Sequence, residues 1–149
     1  MEFNKELRPK VGIGVYIINK EGQVLLMKRK SAHAEGTWCP PGGHLENGES
    51  FFDCCKREVK EETNLDITGT ELLGVVNNIF SPEKHYVNVD FVATGVTGEL
   101  KNMEPEKASD LGWYNLDFLP QPLMLSVQNL FKELPETVSK LKQTRGYHG

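Results

Sequence analysis

The chain has 149 residues, 38% of them hydrophobic and 26% charged, with a formal net charge of −4. That length suits one globular domain over residues 1–149 with a real core, and the acidic balance excludes a protein that coats nucleic acid. No apolar run approaches the ~20 residues that span a bilayer, and MEFNKELRPK lacks a signal peptide's apolar core, so a soluble cytoplasmic protein without membrane contact is expected. Cys39, Cys54 and Cys55 are odd in number and lack paired spacing, which argues against a disulfide framework or a zinc site.

In chain order, Val11 to Ile18 reads as a strand, apolar throughout and therefore central and covered on both faces. Gly12 and Gly14 leave one of its faces bare. Close packing of a neighbouring element and room for a flat ligand such as a nucleobase explain this equally well. Asn19 to Gly22 is a turn, after which Val24 to Met27 returns as the partner strand of a hairpin. Lys28, Arg29 and Lys30 follow. They either keep a strand edge soluble or neutralise a polyphosphate; their nearness to the glutamates downstream favours the second, and Arg29 offers the forked donors that phosphate prefers. Ser31 to Gly36 is a polar loop, and Trp38 is expected to plug the core beneath the turn that follows.

Pro40, Pro41, Gly42 and Gly43 suit a rigid bend with unusual backbone angles. Ser50 is placed to cap a helix, with Asp53 completing an acidic variant of the capping box. At ~100° per residue, Phe51, Phe52, Cys55 and Val59 share one face, expected to be the buried one. Glu58 and Glu62 stand one turn apart at its edge, with Glu61 beside them. Glutamate runs are usually solvated faces, and like charges at this spacing repel by a few tenths of a kcal/mol. Against a half-buried margin they cost more unless a cation compensates, and clustered carboxylate oxygens are hard ligands suited to Mg²⁺ or Mn²⁺.

Leu72 to Val76 is apolar, Ser81 to Lys84 is a hairpin-like connection, and His85 to Ala93 alternates as a strand with Val87, Val89 and Phe91 on one face. The other face carries Tyr86, Asn88 and Asp90, turned to solvent or to a ligand. Asn102 to Lys107 is an acidic, proline-interrupted loop. Leu111 to Tyr114 is a short strand, and Leu123 to Leu134 an amphipathic helix stopped by Pro135. From about residue 143 the tail is expected to fray. Strands and helices in this order predict an α/β/α sandwich with a mixed sheet, within the α/β class.

Gly43, five residues, Glu49, seven residues, then Arg57-Glu58-Val59-Lys60-Glu61-Glu62-Thr63-Asn64-Leu65 resembles the Nudix box, G-x5-E-x7-R-E-U-x-E-E-x-G-U with U apolar. Only the last glycine departs, replaced by Asn64, the residue that best substitutes for glycine in a left-handed helix cap. VGIGV, VLLMKRK, PPGGHLENGE, VVNNI, HYVNV and EPEK extend the likeness, in order, towards the MutT-like branch of that family. The resemblance implies the same sandwich fold and a Mg²⁺-dependent hydrolase, with Mn²⁺ as a substitute. It implies Glu58, Glu62 and the Gly43 carbonyl as principal metal ligands, and Glu61 as a direct or water-mediated ligand and candidate base. Arg57 and Glu49 would be the ion pair bracing loop against helix, and Glu106 a further metal ligand. For substrate it implies Arg29 at phosphate, His44 beside it and Asn88 at the base. Pro40 stands where similar enzymes often carry leucine, which leaves the identity of the base open.

These implications add up to cleavage of nucleoside triphosphates, damaged or non-standard ones included, to monophosphate and pyrophosphate. ADP-ribose or nucleotide-sugar hydrolysis is the alternative among enzymes; a first strand already begun by about Val11 favours triphosphates, because the alternative often needs extra N-terminal structure. A non-catalytic nucleotide-sensing module is the alternative outside enzymes, and it would usually have lost some of the carboxylates kept here. Homodimerisation is also expected, from the resemblance and from apolar residues on outer strands.

Overall fold

The computed structural model describes residues 2–149, so Met1, the expected first residue of the domain, lies outside it. Among the described residues the order is β1 (Lys10–Tyr16), β2 (Gln23–Arg29), β3 (Trp38–Cys39), β4 (Gly42–His44), α1 (Phe51–Thr63), β5 (Asp66–Ser81), β6 (Lys84–Thr97), β7 (Ala108–Asn115), α2 (Leu125–Glu133) and α3 (Glu136–Lys142). One sheet runs β4-β1-β6-β5 and is mixed, because β1 lies parallel to β6 while its other pairs are antiparallel. The second sheet runs β3-β2-β7. The expected mixed α/β architecture is present.

The alternation of β1 divides the interior. Ile13, Val15 and Ile17 join Val89 and Phe91 of β6 against Cys54, Cys55 and Val59 of α1. Tyr16 and Ile18 join Val92, Leu26 and Trp38 against Val127 and Leu130 of α2 and Leu141 of α3. Trp38 therefore plugs the core as expected. Gly12 and Gly14 share the Tyr16 side of the strand, where the apolar packing stops and a cleft begins.

The expected hairpin between β1 and β2 exists only at its root, in the Ile18–Val24 bridge and a Leu25 N–H to Ile17 carbonyl bond of 3.0 Å. Both edges of β1 are taken by β4 and β6, so β2 diverges into the second sheet. The glycine turn also departs from expectation. Gly42 and Gly43 form a short strand with ordinary negative φ, and glycine is required there by contact: a Cβ on Gly42 would strike the Ile13 carbonyl, and one on Gly43 the Glu58 carboxyl.

In α1, Ser50 caps the helix by accepting the Asp53 N–H at 3.1 Å, and Asn64 closes it in the left-handed region at φ 68°. Its buried side is rotated from the expected one. Cys54, Cys55, Val59 and Thr63 are inside, while Phe51 is exposed and only leans on Phe91. The tail does not fray. The Tyr147 N–H donates to the Ile18 carbonyl at 2.9 Å, its hydroxyl to the Gly98 carbonyl at 2.8 Å, and its ring stacks on Trp113. Gly146 makes this docking possible, since a side chain there would collide with the Ala93 carbonyl.

Candidate functional site

A cleft, partly open to solvent, runs along the bare face of β1. It is lined by Gly42, Gly43 and His44 of β4 and Glu62 of α1, and across β1 by Asn88 and Asp90 of β6, with Ser126 of α2. Arg29 lines it too, and Met27, Cys39, Pro40 and Met124 supply apolar wall.

The acidic side is assembled by α1. Arg57 is its hub, donating from Nε to Glu49 Oε2 at 2.7 Å, from Nη2 to Glu49 Oε1 at 3.0 Å and from Nη1 to Glu58 Oε1 at 2.6 Å. Nη2 also donates to the His44 carbonyl at 3.1 Å, which ties the helix to β4. The forked bond holds the Glu49 carboxyl down at about 2, and the same bonds push the Arg57 guanidinium pKa further up. Glu49 and Arg57 are thus ion-paired, which joins the turn before α1 to the helix. Glu61 is half-exposed, 3.6 Å from Arg57 Nη1.

Glu58 and Glu62 differ from these. Burial, partly offset by Arg57, raises the Glu58 pKa. Glu62 Oε2 accepts the Gly42 N–H at 2.8 Å, yet burial and then the charge of Glu58 push its carboxyl up to about 8. Two acids that resist ionisation side by side, pressed against a glycine, are a site short of positive charge. Their carboxylate oxygens and the adjacent backbone carbonyls are the donor chemistry of a hard divalent cation. Among the described residues no three His, Cys, Asp or Glu side chains converge on one point. A cation here would therefore rest on the Glu58 and Glu62 pair, completed by backbone carbonyl and water.

The loop carboxylate whose charge bears on Glu58 and Glu62 is Glu104, not Glu106. Glu104 is partly buried and pairs with Lys107 at 3.3 Å, whereas Glu106 is exposed. Both belong to the EPEK stretch; the bend at Pro105 turns the first glutamate inward, which spacing alone did not reveal.

Of the three cations after β2, Arg29 turns into the cleft, its Nε on the His33 carbonyl at 2.9 Å and Nη2 on Ser31 Oγ at 2.8 Å, while Lys28 and Lys30 are exposed. His44 lines the wall with its Nε2 3.0 Å from the Tyr86 hydroxyl, and burial with nearby Lys10 and Arg29 lowers its pKa, favouring the neutral ring. Asn88 is fixed by the buried Asn78, whose Nδ2 donates to Asn88 Oδ1 at 2.9 Å while Asn129 Nδ2 donates to Asn78 Oδ1 at 2.6 Å. The Asn88 amide nitrogen lies over Gly12, and the Asp90 carboxyl over Gly14. Sequence reasoning placed Asp90 on the polar face of β6 without singling it out, and it missed His33, Phe80, Met124 and Ser126, which reach the cleft from separate segments.

A model of the NUDIX domain matches residues 8–134. The chain belongs to the Nudix family. It is 34% identical over 121 residues to an ADP-ribose pyrophosphatase of Methanocaldococcus jannaschii, covering 80% of this chain and 70% of that protein. It is 30% identical over 112 residues to the NAD-capped RNA hydrolase NudC of Pseudomonas aeruginosa, covering 75% of this chain but only 39% of that longer protein. The crystal structure of a MutT NUDIX hydrolase from Burkholderia pseudomallei superposes with a TM-score of 0.80 at 34% identity, over 86% of this chain and 99% of that one. The expected family and fold are thereby established, and the chain is a Nudix hydrolase, an enzyme acting on nucleotide derivatives. Among the described residues no helix is long and apolar enough to cross a membrane.

Proposed function

We propose that this Nudix hydrolase cleaves nucleoside triphosphates, damaged or non-standard ones included, to nucleoside monophosphate and pyrophosphate. The observation that carries this reading is that one cleft is lined by Glu62 and Gly43, by Arg29, and by the apolar side chains of Met27, Pro40 and Met124. Charged groups and apolar wall in one cleft match one polyphosphate and one base. Glu58, Glu62 and the Gly43 carbonyl would hold Mg²⁺ or Mn²⁺, with Glu61, and Glu104 rather than Glu106 from the acidic loop, contributing through water. Bound there, such cations offset phosphate charge and lower the pKa of water.

The protein's own groups supply the rest. Arg57 pins the Glu58 carboxylate while Glu49 pins Arg57, so that the ligand oxygens keep their place without substrate. Arg29, held by the His33 carbonyl and Ser31, directs its remaining donors at phosphate. Glu61, half-exposed one residue before Glu62 and 3.6 Å from Arg57, would accept a proton from an attacking water. His44, a neutral ring beside Gly43, lies next to the phosphates as a hydrogen-bonding group. Asn88, its carbonyl already occupied by Asn78, offers its amide N–H to the base.

The name of the M. jannaschii relative favours a second reading, hydrolysis of ADP-ribose. Measuring pyrophosphate and AMP release from a nucleotide panel, with and without Mg²⁺, separates them. Pyrophosphate from triphosphates alone is the expected result. AMP from ADP-ribose alone would replace it with the second reading, and tight binding without turnover would mean a sensing module. Exposed Leu72, Val75 and Ile79 along the edge strand β5 support pairing of two copies, and a monomeric mass in solution would refute that.

A further inference from the structure

The β6 side of the cleft holds a carboxyl that the hydrolytic reading leaves unused. Asp90 is 3% exposed, and its Oδ2 has no hydrogen-bond partner among the described residues. The register of β1 against β6 sets Asp90 opposite Gly14, and its Oδ1 occupies the space a side chain at position 14 would need. Two residues earlier the same pairing sets Asn88 opposite Gly12. The bare face of β1 is thus covered by one acceptor and one donor group, both lining the cleft.

A buried polar group without a partner is costly, so an orphan of this kind calls for an explanation. Packing does not supply one, since an apolar residue would fill the place without penalty. A structural ion pair does not either: burial alone accounts for the rise of the Asp90 carboxyl to about 7, with no cation near enough to oppose it. Tyr16, the ionisable neighbour that senses the Asp90 charge, is held in its neutral form. Nor would a phosphate be welcome beside a carboxylate. What Asp90 lacks is a neutral N–H donor, brought by something flat enough to lie between Pro40, Met27 and Met124.

Resting on the reading that the cleft takes a nucleotide, we propose that Asp90 reads the base, accepting the ring N–H and the exocyclic amino group of guanine. Guanine presents these two donors side by side, matched to the two oxygens of one carboxylate, and its O6 remains for a donor such as the Asn88 amide. Hypoxanthine keeps the ring N–H and O6 and loses one donor. Adenine turns a ring nitrogen lone pair towards the carboxylate where guanine has N–H, and is rejected.

The test is calorimetric titration of the full chain with GMP, IMP and AMP at pH 8, in the presence of Mg²⁺, for the wild type and Asp90→Asn. The expected order is GMP, IMP, AMP, with GMP at least about tenfold tighter than AMP. In Asp90→Asn, which keeps the volume and removes the charge, the ratio falls to within about threefold through loss of GMP affinity, while AMP is unchanged. Circular dichroism checks the fold, and Asp90→Ser serves as a second variant with the same expected collapse. Equal affinities in the wild type, an unchanged ratio in both variants, or no binding of any monophosphate would overturn the assignment. Binding is read here without turnover. GMP selectivity without hydrolysis would sink the hydrolase reading and keep Asp90; hydrolysis without base selectivity would do the reverse.

Discussion

The α1 side and the β6 side of the cleft each bury carboxyl groups that resist ionisation, and they deal with them in opposite ways. At the α1 side, Glu58 is pinned by Arg57 at 2.6 Å, Arg57 is pinned by Glu49, and Glu62 takes a backbone N–H from Gly42. At the β6 side, Asp90 stands alone over a glycine with one oxygen unpartnered. The first is an organised array with a deficit of positive charge; the second is a single acceptor with a deficit of donors. A divalent cation would answer the first need, and on our proposal a neutral base the second. Burial raises all three, most completely at Asp90, and the rest of the difference lies in what surrounds them.

Removing Glu62 strikes the organised side hardest. We expect Glu62→Gln to lower turnover by roughly 10²–10⁴-fold while leaving the fold intact, since a ligand charge goes without change of volume. Wild-type turnover in steady-state assays would remove Glu62 from the machinery. Arg57→Lys keeps the charge but loses the fork, and should cost roughly 10–100-fold in turnover by loosening Glu58. Unaltered kinetics would mean that the brace is not needed.

Stability against pH separates the sides in a different way. Asp90 and Glu62 titrate at about 7 and about 8 in the folded chain, above the ordinary carboxylate range. Groups raised in this way contribute stability fully below their unfolded pKa of ~4 and lose it as pH climbs through the folded values. The metal-free protein should therefore melt lower at pH 8.5 than at pH 5.5 by a few degrees. Glu62→Gln and Asp90→Asn should each flatten part of that fall, and Mg²⁺ should offset the Glu62 part alone. Melting that rises over this interval would contradict the burial of both acids. The smallest expected effect is in the network that holds Asn88. Asn78→Ala should destabilise by about 1–3 kcal/mol in urea unfolding, because it strands the amide groups of Asn88 and Asn129. A neutral result would mean that water replaces the lost partner.

The unequal legibility of the two sides has the same origin. Glu58, Glu61 and Glu62 lie within one capped helix, so local spacing already placed them together, and the resemblance to the Nudix box added Arg57 and Glu49. Arg29 was legible for a similar reason, as the last residue of a strand that delivers it to the cleft. The β6 side was not. Gly14, Asp90, Met124 and Ser126 are far apart in the chain and meet only through the parallel pairing of β1 with β6 and the docking of α2. Alternation in β6 put Tyr86, Asn88 and Asp90 on one face but could not say whether that face met water or a cleft. Glu104 was obscured by Glu106 because the bend at Pro105 decides which turns inward. The tail was misjudged because Tyr147 is anchored by long-range pairing with Ile18 and stacking on Trp113.

The central claim is that the Glu58 and Glu62 pair is a divalent-cation site, and calorimetric titration with Mg²⁺ near pH 7 tests it most directly. Run in two buffers of different ionisation heat, it should show binding with release of protons, because Glu62 at about 8 is largely protonated before the cation arrives. Glu62→Gln should bind weakly and release none. Absence of Mg²⁺ binding to the wild type, or the same proton release from the variant, would contradict the account.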